Sequence, residues 1–444
     1  MIQLDLILAV VLGIATLLVL ILYFRIQAFI SLLIASLVVG LLAGMPPLEI
    51  ISTIQKGMAG TLGFVAVVVG LGAIFGAILE SSGGTAALAK FLISKFGEKN
   101  ASWAMVITGF FVAIPVFFDV GFVILVPVIY ALQRRTKKSL LIYALPLLSG
   151  LAITHAFIPP TPGPIAVAEI LGADLGYVIL FGFAAGIPAA IISGPIFSKY
   201  ISKRLIIEAP EAEEVETPND FPSIGIILSI ISLPILLIIL GTVLKGYSND
   251  IIPDQIVNVF AFLGHPFIAL ILANMIAWYL LGIKRGHTKD QLQKLSSKSL
   301  APAGIIILLT GAGGVFKQML VDTGAGEMLA TYFSGSGMNI FLFAFIAAGL
   351  VRILQGSSTV AMITAAGLTA PLLSDAISDP VKAMLVIAIA SGASLMSHVN
   401  DSGFWLVSKY LGLTEKQTFK SWTVMTTILG LVGFLTVSLL RIFF

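Results

Sequence analysis

The sequence predicts an all-α polytopic membrane protein made of two inverted-topology repeats, each with about five spans, a re-entrant helical hairpin and a broken helix. Three observations lead there. The 444 residues are 58% hydrophobic and 11% charged, with a mean hydropathy of +1.07, whereas soluble domains carry about 25% charged residues. The apolar excess runs from residue 4 to residue 444 in stretches of crossing length. The chain also matches itself at an offset near 240 residues. This composition cannot furnish a water-exposed surface, which excludes a soluble enzyme, a nucleic-acid binder and a secreted scaffold. Cys is absent, so disulfides, thiolate metal sites and a Cys nucleophile are excluded as well. The net charge of +3 discriminates little.

A helical crossing takes about 20 mostly apolar residues. Crossings are expected near 4–22, 28–44, 58–79, 140–174 and 176–197, then near 223–243, 256–282, 300–320, 381–412 and 422–443. Residues 101–131 and 338–373 are too long for one span, and each is interrupted at its centre. The interruptions are Ile114-Pro115-Val116-Phe117-Phe118-Asp119 and Arg352-Ile353-Leu354-Gln355-Gly356-Ser357-Ser358-Thr359. Hairpins that enter and leave by the same side account for both, because non-helical backbone at depth needs protein or water around it.

With that topology, 19 of the 25 Lys and Arg residues fall on one side, from Arg25 to Lys420. Four (Lys56, Lys245, Lys382 and Arg441) fall on the other, and Lys317 and Arg352 lie within membrane segments. Cytoplasmic loops collect basic residues, so the side with 19 is the cytoplasm and both termini lie outside it. The first segment lacks a basic start and a small-residue cleavage site, which reads as a retained span. The acidic stretch Ile207 to Pro222 reads as a solvated cytoplasmic linker. It joins a first repeat over residues 1–206 to a second over 223–444.

The repeat itself is visible in identities. Gly72, Phe75, Leu79, Gly83, Leu88 and Ala89 recur as Gly313, Phe316, Leu320, Gly324, Leu329 and Ala330. Ser149-Gly150, His155, Gly163 and Leu171-Gly172 recur as Ser391-Gly392, His398, Gly403 and Leu411-Gly412. Five crossings plus a hairpin is an odd number of crossings, so the halves run in opposite directions. Secondary transporters use this plan and place the substrate near the midplane, where the interrupted helices meet.

Four interruptions therefore carry functional weight: the two hairpin tips and one break in each long fifth span. The first break, Thr154 to Pro164, holds four prolines within six residues and cannot continue a helix. Its counterpart is Ser397-His398-Val399-Asn400-Asp401-Ser402-Gly403, whose hydroxyl and amide groups both donate and accept, as a polyhydroxylated solute requires. Charges at depth mark pathways or partners. Arg352 suits a substrate carboxylate, its alternative being a salt bridge to Asp119 or Asp401. Asp119 and Asp401 are candidates for proton carriers, sodium ligands or fixed partners of Arg352. His155 and His398 are candidate proton relays or hydrogen-bonded fixtures, and Glu80 and Glu169 are candidate coupling residues near the interfaces. Lys317 and His265 read as packing or snorkelling residues. The chain lacks His-Glu-x-x-His and Gly-x-Ser-x-Gly motifs, so an intramembrane enzyme is not expected, nor is a cofactor or bound metal.

At these breaks the sequence resembles the gluconate permease (GntP) family of proton-coupled sugar-acid symporters, within the wider ion transporter superfamily. The segments that carry the resemblance are Gly72 to Gly84, Ile114 to Phe122, His155 to Pro164, Gln355 to Ala361 and Ser397 to Trp405. Asp119 stands where relatives often have Glu, which keeps the carboxylate and shortens its reach. The resemblance implies symport of gluconate or a similar small hydroxy acid with protons across a bacterial cytoplasmic membrane. Related permeases carry gluconate, idonate, fructuronate, glycerate or D-serine, and the wider superfamily includes sodium-coupled members and many homodimers. On this basis the substrate carboxylate is expected near Arg352, Gly356, Ser357, Ser358 and Thr359. Its hydroxyls are expected near Thr161, Gly163, Asn400 and Ser402, with Pro115 and Phe118 completing the site. A sodium-coupled carboxylate transporter, or a D-serine or glycerate:proton symporter, is the alternative.

Overall fold

The computed structural model describes every residue except 1, 115, 211–220, 247–252, 326–327, 329–338, 374–376 and 400. The described residues outside loops are helical throughout. In the first half, α1 (Ile2–Leu22) pairs with α2 (Ala28–Leu42), followed by the 35-residue α3 (Pro47–Ser81) and the short α4 (Gly84–Phe96). Next come α5 (Ala101–Val112), α6 (Phe118–Thr136), α7 (Leu141–Phe157), α8 (Pro162–Leu171) and α9 (Leu175–Ile201). The second half has α10 (Ile224–Gly246), α11 (Asp254–Leu263), α12 (Pro266–Arg285) and the 34-residue α13 (Lys289–Asp322). It ends with α14 (Ile340–Gln355), α15 (Ser358–Thr369), α16 (Asp379–Ala393), α17 (Ser402–Tyr410) and α18 (Glu415–Phe443). Counting α7 with α8 as one, seven of these helices are long and apolar enough to cross a membrane.

Local chemistry sets the boundaries. Pro47 opens α3 at a position where its missing N–H costs nothing, and Gly83 turns the chain into α4 with φ +75°. Thr288 and Gln291 form a capping box at the start of α13, and Thr414 and Gln417 repeat it at α18. The two interrupted stretches fold as helix, break, helix. With 12 residues each, α5 and α15 reach only about 18 Å, well short of a bilayer's hydrocarbon core. The proline-rich stretch separates α7 from α8, and residues 394–401 separate α16 from α17. One expectation fails. Residues 256–282 form two helices, because Gly264 presses against the Leu237 carbonyl of α10 and Pro266 starts a new helix capped by His265.

Small residues allow the close approaches, as bundles in lipid require. Gly57 of α3 lies on the Val315 backbone of α13, and Gly314 of α13 lies against Thr61. Each first hairpin arm meets the neighbouring broken helix through a glycine. A methyl on Gly150 of α7 would overlap the Val106 carbonyl of α5, and one on Gly392 of α16 would overlap the Phe345 carbonyl of α14. These two glycines are among the positions matched at the sequence offset near 240 residues.

Candidate functional site

The breaks of both interrupted stretches, the break after α16 and the end of α7 border one cavity of about 570 Å³. The first stretch contributes Phe117 to Val120, the second Gln355 to Thr359, α7 contributes His155 just before its own break, and the break after α16 contributes Asp401 to Gly403. Trp422 and Thr426 of α18 close one wall, and Pro302 and Ile306 of α13 another.

Arg352 ends α14 and is 5% exposed. Its guanidinium pairs with the carboxylate of Asp401, itself 9% exposed, and donates to the Gly356 carbonyl. Its Nε is buried and has no hydrogen-bond partner among the described residues. Asp401 is fully engaged. One oxygen takes Arg352 and the Ser397 hydroxyl, and the other accepts the Gly403 N–H at 3.0 Å, which caps α17. Behind it, the Trp422 indole donates to Ser397 Oγ at 2.6 Å, and Ser397 N–H donates to Thr426 Oγ1 at 3.2 Å. The alternatives for Arg352 thus resolve geometrically: Asp401 is its ion-pair partner, and Asp119 opens into the cavity with no hydrogen bond or ion pair among the described residues.

Helix starts set the field. A helix N-terminus presents unpaired N–H groups and partial positive charge. Three of them border the cavity, at Phe118 of α6, Ser358 of α15 and Ser402 of α17. Asp119 sits in the first turn of α6 and Asp401 caps α17, so those two carry their own anions. No acid lies in the first turn of α15. Gly356, at φ +92°, reverses the chain there, and Ser357 caps the helix through its Oγ, 3.3 Å from Val360 N. Of the three helix starts, that of α15 is the one without an acid in its first turn, and Arg352 lies beside it.

The remaining candidates divide. Thr161 is buried and donates to the Ile158 carbonyl at 2.6 Å, lining a small adjacent cavity together with Phe117 and His155. Gly163 faces Met362 and does not line the main cavity. His155 borders the cavity with a buried Nδ1 that has no hydrogen-bond partner among the described residues, and its ring stands 6.2 Å from that of Phe117. His398 is held by its Nε2, 2.8 Å from the Ile353 carbonyl oxygen. Glu80 borders a neighbouring cavity, and Glu169 a separate one beside Asp174 and His265. Pro115 and Asn400 lie outside the described residues. Phe117 and Ser397 lie in interruptions that the sequence marks but were not among the candidate site residues, and Trp422 and Thr426 lie outside those interruptions. The signal for the last two is a polar pair four residues apart on an apolar helix.

An apolar helical bundle whose two hairpin tips and two broken helices converge on a charged cavity is a multi-pass membrane transporter. The GntP family permease model matches residues 5–443, and the chain belongs to that family. It is 41% identical over 438 residues to the low-affinity gluconate transporter of Escherichia coli K12, covering 98% of this chain and 97% of that one. It is 39% identical over 436 residues to the gluconate permease of Pseudomonas aeruginosa, covering 96% and 95%. The Gnt-II system L-idonate transporter of E. coli K12 is 36% identical over 430 residues, covering 96% of each. These relatives are named transporters and permeases, in keeping with a protein that is no enzyme. The crystal structure of the Alcanivorax borkumensis YdaH transporter shares the fold, with a TM-score of 0.63 at 13% identity over 89% of this chain and 88% of that one.

Proposed function

We propose that the protein is a proton-coupled symporter taking up gluconate or a closely related small hydroxy acid across the bacterial cytoplasmic membrane. The observation that carries this reading is the pairing of an anion-accepting corner with an unpaired carboxylate in one cavity. The corner is the start of α15 beside Arg352, and the carboxylate is Asp119. The substrate carboxylate docks on Arg352 and the backbone N–H groups of Ser358 and Thr359, and Ser402 and the Ser357–Thr359 hydroxyls meet its hydroxyls. Asp119 carries the proton, since Asp401 is committed to Arg352 and to capping α17. Relatives named for gluconate and idonate support a sugar acid as cargo.

The same reading takes the two halves as inverted repeats with re-entrant hairpins. Short hairpin arms and the matched contacts of Gly150 and Gly392 support it. Both termini are then extracytoplasmic, residues 207–222 form a cytoplasmic linker, and the protein works as a homodimer. The deciding experiment is gluconate uptake into proteoliposomes under an imposed pH gradient, with and without sodium. Accumulation should follow the pH gradient in sodium-free buffer, and accumulation that follows only a sodium gradient would sink the proton assignment. Competition by idonate, glycerate, fructuronate, D-serine and citrate would then rank the cargo.

A further inference from the structure

We propose that a second, transient site for the substrate lies at Lys298, in a vestibule that adjoins the central cavity across the ring of Phe117. The inference rests on the transport reading above. The vestibule has a volume of about 290 Å³ and is bordered by Glu80 and Ser81 at the end of α3 and by Lys298 and Ser299 on α13. Phe117, Val120 and Pro302 border both this space and the central cavity, so one layer of side chains separates them. Phe117 also lines the small cavity beside His155 and Thr161, which makes its ring the wall common to all three spaces. It stands in the first tip just before α6, on extended backbone and half-exposed. A rotation of that side chain therefore joins the two larger spaces without moving a helix.

The chemistry of the vestibule suits a hydroxylated carboxylate. The Lys298 ammonium is a compact cation with three donors and has no ion pair within 4.0 Å among the described residues. Glu80 lies within its electrostatic reach. The Ser81 hydroxyl donates to the Ile78 carbonyl at 3.1 Å, and that of Ser299 to the Ser296 carbonyl at 2.8 Å. Their oxygens, with the Glu80 carboxylate, are left to accept from substrate hydroxyls. A cation for the acid group and acceptors for the hydroxyls are what a sugar acid needs. Lys298 is exposed, so water screens the attraction and the site is a weak one. Weakness fits a station on a path, where a tight grip would stop release. Lys298 also belongs to the basic set that marks the cytoplasmic side, which makes this the inward leg of the route.

The absence of Cys makes the test direct. Ser299→Cys provides the sole thiol, and in proteoliposomes saturating gluconate should slow its modification by a charged thiol reagent about tenfold. Adding Lys298→Gln should remove that protection, and Lys298→Arg should keep it. Equal modification with and without gluconate, or undiminished protection in the Lys298→Gln background, overturns the site. Gluconate uptake by the unsubstituted chain separates the two readings: transport without protection overturns the vestibule site alone, and absence of transport overturns the transport reading itself.

Discussion

The Arg352 guanidinium carries five N–H donors. One terminal nitrogen pairs with Asp401 and the other donates to the Gly356 carbonyl, which fixes its plane where Arg352 borders the cavity. Removing one member of a buried pair leaves the other charge uncompensated, a cost of about 3–5 kcal/mol. Asp401→Asn should therefore lower stability by about that amount, read as thermal unfolding in detergent, and Arg352→Gln should abolish uptake in chains that still insert. The double variant should recover part of the stability loss, because the two sites are directly coupled. Asp119→Asn makes the opposite prediction. Exchange of labelled for unlabelled gluconate should persist, while uptake driven by an acidic exterior is lost; wild-type uptake should fall as external pH rises, and the variant should not respond. The sequence marked Arg352, Asp119 and Asp401 as costly charges at depth. Which aspartate pairs with the arginine was not legible, because that choice depends on residues 49 apart meeting in space. Ser397 and Trp422, which hold Asp401 from behind, carry no charge, so neither stood out as a site residue.

At the level of elements, prolines, glycines and polar clusters inside apolar runs located all four breaks, since each is incompatible with continuous helix in lipid. The extra break at Gly264 escaped notice. Its causes are the close approach of Gly264 to α10 and the local Gly264-His265-Pro266 run, in which His265 caps and Pro266 opens a new helix. Hairpin and broken helix are locked together at Gly150 and Gly392, where backbone touches backbone. Gly392→Ala should push α14 and α16 apart and cost about 1–3 kcal/mol, visible as a lower unfolding temperature, with Gly150→Ala doing the same in the first half. An unchanged unfolding temperature for both would mean that the helices can slide apart freely. The short arm α5 depends directly on its seam, because its 12 residues do not span the bilayer by themselves.

For the whole molecule, composition and basic-residue asymmetry were enough to assign a multi-pass membrane protein, whose family membership is now clear from end to end. The predicted sidedness can be checked without structural work. A reporter active only outside the cytoplasm should be active when fused at either terminus and silent when inserted near residue 215, inside the acidic linker. Activity at the linker would reverse the topology. Chemical crosslinking in membranes and light scattering of the purified protein should both report two copies.

The Nε of Arg352, without a partner among the described residues, also bears on the energetics of the empty carrier. A buried donor with no acceptor costs about 1–3 kcal/mol, a penalty that a bound carboxylate removes. A substrate group that accepted from this donor would therefore favour this arrangement by roughly 5- to 150-fold. Loading would then act as a conformational vote, so that a carrier without its passenger leaves this state more readily than one that is filled.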